Sequence, residues 1–121
     1  MDKTQAYYAL WSRFGIPAYD EQSVPDDAEL PYITYEVVLD DYDNGIITTA
    51  SLWYRGTSWA EIDEKLNAIT DVISVISPLP IDGGFMYVTK ASPWCQRMAD
   101  ETDRTIKRYL LNVGVNFLTN N

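Results

Sequence analysis

The sequence predicts an α+β fold: a mostly antiparallel sheet of about four strands in the order α-β-β-α-β-β, with two helices packed on one face. Three observations lead there: two segments with helical periodicity, two alternating stretches joined through Asn44-Gly45, and a long alternating segment near the C-terminus. With 121 residues, 46% of them apolar, the chain has the size of one domain and the means to build a core, so residues 1–121 are read as a single domain.

Tyr7, Leu10, Trp11 and Phe14 recur at i, i+3, i+4 and i+7, one stripe of a helix over roughly residues 2–14 that Gly15 and Pro17 end. Residues 16–31 are rich in Pro, Asp and Glu and predict a long irregular connection. Ile33, Tyr35, Val37 and Leu39 then alternate with Thr34, Glu36, Val38 and Asp40, the period of a half-buried strand. Residues 46–54 follow, rich in β-branched and aromatic side chains. Between the two, Asp43-Asn44-Gly45 tolerates the positive φ angles of a tight hairpin turn, so the strands are expected to be antiparallel neighbours.

Gly56-Thr57-Ser58 opens a second helix over residues 59–75, with Ser58 as its cap and Glu61 completing a capping box. Ile62, Leu66, Ile69, Ile73 and Ile76 form its apolar stripe, and Glu61 and Lys65 are spaced to pair at i, i+4. Pro78, Pro80 and Gly83-Gly84 turn the chain into a short strand over 85–90. Ser92-Pro93 then begins a polar connection holding Trp94, Cys95, Arg97 and Met98, and residues 100–104 form a turn. In the last strand Tyr109, Leu111, Val113, Val115 and Phe117 share one face, and Arg108, Leu110, Asn112, Gly114 and Asn116 the other.

A net charge of −9 argues against a general phosphate-backbone binder, whose affinity needs cations to release counterions, and against a membrane surface ligand. No apolar run approaches the roughly 20 residues of a spanning helix, and Met1-Asp2-Lys3-Thr4-Gln5 is no secretory signal, so a soluble chain made inside the cell is expected. Catalytic chemistry has little to work with. There is no histidine to activate Cys95 or to ligate zinc, and the single cysteine cannot form an internal disulfide. The acidic stretch from Asp40 to Gly45 fails the calcium-loop spacing, and Gly83-Gly84 lacks the lysine of a phosphate loop. No enzyme, no metal and no cofactor is the expectation.

Charge order is the more informative signal. Between Arg13 and Arg55 lie nine carboxylates (Asp20, Glu21, Asp26, Asp27, Glu29, Glu36, Asp40, Asp41, Asp43) and no base, whereas five of the nine basic residues fall between Lys90 and Arg108. Two faces of opposite sign would let one copy dock on the next, in a head-to-tail contact that closes a ring or grows a filament. The candidate contact residues are Arg97, Arg104, Lys107 and Arg108 against Asp26, Asp27 and Glu29 of a neighbour. Trp53 and Trp94 join them as interface anchors, while Tyr7, Trp11, Tyr35 and Tyr109 sit on core stripes.

The succession of early helix, hairpin from Ile33-Thr34-Tyr35-Glu36-Val37-Val38 to Ala50-Ser51-Leu52-Trp53-Tyr54, helix entered through Gly56-Thr57-Ser58, and closing strand introduced by Asp100-Glu101-Thr102-Asp103-Arg104 resembles the tail terminator or tail completion proteins of long-tailed bacteriophages. These are also called head-tail joining or minor capsid proteins. The resemblance spans most of the chain as an order of elements. It implies a structural virion protein, made in the host bacterial cytoplasm and placed in the tail or neck. There it would form a hexameric ring on the tail tube protein, facing the head-tail connector protein, with DNA passing through without specific binding. Asp40, Asp41, Asp43 and Asn44 would then be a docking loop or lumen wall that repels phosphates. The alternative from another class is a small acidic mimic of DNA that inhibits a nucleic-acid-binding protein.

Overall fold

A computed structural model describes residues 1–39 and 45–119. The chain runs α1 (Lys3–Trp11), a 3-10 turn (Ser12–Phe14), β1 (Ala18–Asp20), β2 (Tyr32–Tyr35), β3 (Ile46–Arg55), α2 (Ala60–Ile73), β4 (Leu79–Ile81), β5 (Gly84–Ala99) and β6 (Ile106–Thr119). The sheet has six strands in the order β1-β2-β3-β6-β5-β4. It is mixed, because β1 pairs in parallel with β2 (Ala18 beside Ile33, Asp20 beside Tyr35) while the other neighbours are antiparallel. It curls into a half-barrel.

This corrects the expected four-stranded sheet and its order. The two added strands, β1 and β4, are three residues each, too short for alternation to reveal, and both lie at sheet edges. Pro80 sits inside β4, where an edge position tolerates a residue without an amide hydrogen. The third correction is β5, which continues for 16 residues through the segment expected to be a polar connection. Gly84–Lys90 faces Val113–Thr119 and Cys95–Ala99 faces Lys107–Leu111, with a register shift between Lys90 and Cys95 that absorbs Ser92-Pro93. The long apolar face of β6 supplies a pairing template that local composition cannot.

β2 and β3 pair antiparallel, Tyr32 beside Trp53 and Tyr35 beside Ala50, and the Glu36 amide still donates to the Thr49 carbonyl at 2.9 Å. The Asn44-Gly45 turn itself falls on residues outside the described set, apart from Gly45. Helix ends differ from expectation too. A capping box does form, but at α1, where Asp2 accepts from the Gln5 amide and the Gln5 side chain accepts from the Asp2 amide. At α2 the cap position is Trp59, so Ser58 falls one residue early and only accepts from the Ala60 amide at 3.3 Å. Lys65 donates to the Phe14 carbonyl at 2.8 Å rather than pairing with Glu61, tying α2 to the end of the 3-10 turn. There Gly15 takes φ 81°, which favours glycine.

Both helices lie over one sheet face. Ala6, Tyr7, Leu10 and Trp11 of α1 and Ile62, Leu66, Ile69 and Ile73 of α2 are buried in one cluster with Ile33, Leu52, Leu111, Val113 and Val115. Tyr7 meets Phe117 edge-on at 5.9 Å and donates to the Val38 carbonyl at 2.7 Å. Burial pushes its phenol well above the usual tyrosine range. The opposite face carries Tyr32, Thr34, Ile47, Thr49, Trp53, Arg108, Asn112 and Asn116 and has no layer over it among the described residues.

Thr48 is fully buried and, among the described residues, its hydroxyl has no hydrogen-bond partner. Thr48→Val keeps the shape and removes an unpaired polar atom, so it should stabilise the protein by about 1 kcal/mol. Chemical denaturation at constant slope reads this directly; a lower midpoint would mean the hydroxyl is bonded in solution.

Candidate functional site

A polar cluster lies where the start of α2 meets the β5–β6 pair. Arg97 and Tyr109 are cross-strand partners on the helix-covered side. Arg97 Nε donates to the Tyr109 hydroxyl at 2.7 Å, and that hydroxyl donates to Asp63 Oδ1 at 2.5 Å. A direct ion pair, Arg97 Nη2 to Asp63 Oδ2 at 3.2 Å, closes the triangle. The guanidinium also lies 4.4 Å from the centroid of Trp59, whose ring meets Tyr109 edge-on at 5.5 Å. Lys107 approaches the same indole at 5.6 Å.

Electrostatically this is a clasp. The Tyr109 hydroxyl, then Asp63, holds the Arg97 guanidinium even further above neutrality than usual. Burial first, and the hydrogen bond to Asp63 second, push the Tyr109 phenol up, away from the ionised form a general base needs. Cys95 is pushed up by burial and by Asp63 as well, the reverse of an activated thiol. The cluster joins α2 to the sheet.

Below it the chain turns through residues 100–105. Asp100 Oδ1 accepts from the Thr102 amide and hydroxyl and from the Asp103 amide, and Asp103 Oδ1 accepts from the Thr105 amide and hydroxyl. Asp103 also pairs with Arg55 at 2.9 Å, fixing the turn to the end of β3. Trp59, Ala99, Glu101, Arg104, Ile106 and Lys107, with Asp100, line an open cavity of about 480 Å³ between turn and helix.

The basic residues do not form one patch. Strand alternation puts Arg97 and Lys107 on the helix side and Arg108 on the open face, where it stacks 4.6 Å from Trp53 and donates to the Ser51 hydroxyl at 3.0 Å. Arg104 stands exposed in the turn, its carbonyl accepting from Lys107. Trp53 is half-buried and donates to Thr34 Oγ1 at 3.0 Å. Trp94 packs against α2, donating to Thr70 Oγ1 at 2.9 Å, which leaves its indole nitrogen engaged within the chain. Asp26, Asp27 and Glu29 are exposed in the link from β1 to β2, with no ion pair among the described residues. Asp40, Asp41, Asp43 and Asn44 lie outside the described residues.

Sequence reading missed Trp59 and Asp63 as partners of Arg97 and placed Tyr109 in the core alone. The faint signal was parity, since Lys107 and Tyr109 must share a face whereas Arg108 cannot. Among the described residues no group of three or more His, Cys, Asp or Glu could hold a metal ion, and no helix is long and apolar enough to cross a membrane. No protein-family model matches the chain, and no curated protein sequence matches it either.

Removing one hydroxyl tests the clasp. Tyr109→Phe should cost about 1–2 kcal/mol, since two charge-assisted hydrogen bonds go while the direct Asp63–Arg97 pair stays; calorimetry that finds no change would mean the pair alone suffices. Asp103 gives a pH signature. The Thr105 hydroxyl, then Arg55, lowers its carboxyl from 3.8 to about 2. Its folded pKa lies below the unfolded one, so its contribution is full above 3.8 and lost as pH falls to about 2. Melting temperatures of the parent and Asp103→Asn should therefore differ at neutral pH and converge towards pH 2; parallel curves would contradict this.

Proposed function

We propose that this chain is a structural virion protein of a long-tailed bacteriophage, a tail terminator or tail completion protein that assembles as a ring on the tail tube and joins it to the head connector. One observation carries the reading: acids without an ion pair among the described residues gather past β1, while Arg97, Arg104 and Lys107 lie at the other end of the sheet, among Asp63, Asp100, Glu101 and Asp103. Glu21, Asp26, Asp27 and Glu29 follow β1 at one edge, whereas Arg97, Arg104 and Lys107 lie on or beside β5 and β6, the fifth and fourth strands across. A surface with complementary ends suits a heterologous contact between identical copies, which closes into a ring when the rotation allows. The phage setting comes only from the resemblance of the sequence, whose element order the six-stranded sheet corrects. The uncovered sheet face leaves room for a second partner, such as the tube below.

The acidic DNA-mimic alternative fits less well, because cations stand on both faces of the sheet, Arg97 and Lys107 on the helix side and Arg108 on the other, and break up the continuous acidic surface such a mimic needs. Electron microscopy of particles from a phage whose gene for this chain carries an early stop decides between them. Overlong or unjoined tails beside full heads support the terminator reading; normal joined virions overturn it.

A further inference from the structure

The outer side of β5 is an unused sheet edge. β4 pairs with it only at Gly84–Met86, and two residues further on Ser77 Oγ takes both the amide and the carbonyl of Val88 at 2.7 and 3.0 Å. Beyond that point no strand pairs with this side among the described residues. Val88 turns its amide and carbonyl away from β6. Carrying the alternation along β6 and across the register shift turns those of Cys95, Arg97 and Ala99 outward too. Exposure agrees: Gln96, Arg97, Met98 and Ala99 are all exposed, although successive strand residues point to opposite faces, as happens where nothing covers the edge.

The other edge of the sheet is β1. The Pro17 carbonyl accepts from the Ile33 amide at 2.8 Å and the Glu21 amide donates to the Tyr35 carbonyl at 2.9 Å, so Ala18 and the Asp20 amide turn outward, while the Asp20 carbonyl accepts from the Ser23 amide at 2.8 Å. Asp20 shares the helix-covered side with buried Ala18, as Arg97 shares it with Tyr109. Exposed Glu21, Asp26, Asp27 and Glu29 follow, and none has an ion pair among the described residues.

We propose that the free β5 edge at Cys95–Ala99 takes the acidic β1 edge of a second copy of this chain, with the acids after β1 set against Arg97, Arg104 and Lys107. This rests on the ring reading above and specifies its contact: the sheet of one subunit continues into the next. Backbone bonding along the edge supplies affinity, and the charges fix which edge meets which. Asp63 already pairs with Arg97 and Asp103 with Arg55, so of these three cations Arg104 and Lys107 are the ones without an ion pair among the described residues, beside Asp100 and Glu101 of their own turn.

Sedimentation velocity of the purified full chain, at low and high salt, tests this with three variants. One carries Arg104→Glu and Lys107→Glu, one carries Asp26→Lys and Asp27→Lys, and one carries Ala99→Pro, which removes an outward amide and no bond to β6. The parent should associate, less so in high salt, and each variant alone should associate at least about tenfold more weakly. An equimolar mixture of the two charge-reversed variants should recover association, because their reversed surfaces complement each other. Should Ala99→Pro melt early, the charge pair decides alone. A parent that stays monomeric, variants that associate like the parent, or a mixture that fails to recover would overturn the edge assignment. None of these would alter the tail phenotype of the early-stop phage, so the two readings fail separately.

Discussion

β6 is the constraint on which the rest of the molecule depends. Its residues 106–115 pair with β3 and 107–119 with β5, so it joins the two halves of the sheet. Its inward side chains, Tyr109, Leu111, Val113, Val115 and Phe117, are all buried beneath the helices. Burying such a row removes apolar area from water continuously along the strand, and any one-residue slip would turn the whole row to the open face. Register on both sides is thereby pinned. Once β6 is placed, β5 has a partner long enough to stay extended past Pro93, and α2 has a floor.

Tyr109 is where that core row becomes a polar joint. Its ring belongs to the core and its hydroxyl to the clasp, so packing the strand also positions Asp63 of α2 and Arg97 of β5. Trp59 closes the arrangement from above as the cap residue of α2 and explains why that helix starts without a side-chain cap. The charge pair is exposed and adds orientation more than stability. Its consequence for function is that Arg97 is held at a defined place beside a free edge instead of sweeping through solvent.

Free edges invite association, and this sheet manages its two edges differently. β4 is three residues long and carries a proline, features that discourage pairing, whereas β1 has no proline and is followed by exposed acids. The β5 edge is longer, and the irregularity around Pro93 interrupts it.

Much of the local structure was legible in the residues themselves. The stripes Tyr7–Leu10–Trp11 and Ile62–Leu66–Ile69–Ile73 and the alternation of β3 and β6 each bury the side chains their spacing singles out, because periodicity is a property of neighbouring residues. The sequence also determined the order of charges along the chain, the parity that divides Lys107 from Arg108, and the poverty of catalytic groups. Tertiary structure alone decided the six-stranded mixed sheet, the extension of β5 through a proline, the parallel docking of three-residue β1, and the meeting of Asp63, Arg97 and Tyr109. Each of these is a choice of partner between residues far apart in the chain, settled by which strand leaves an edge and a buried face to be satisfied. No local pattern carries that information.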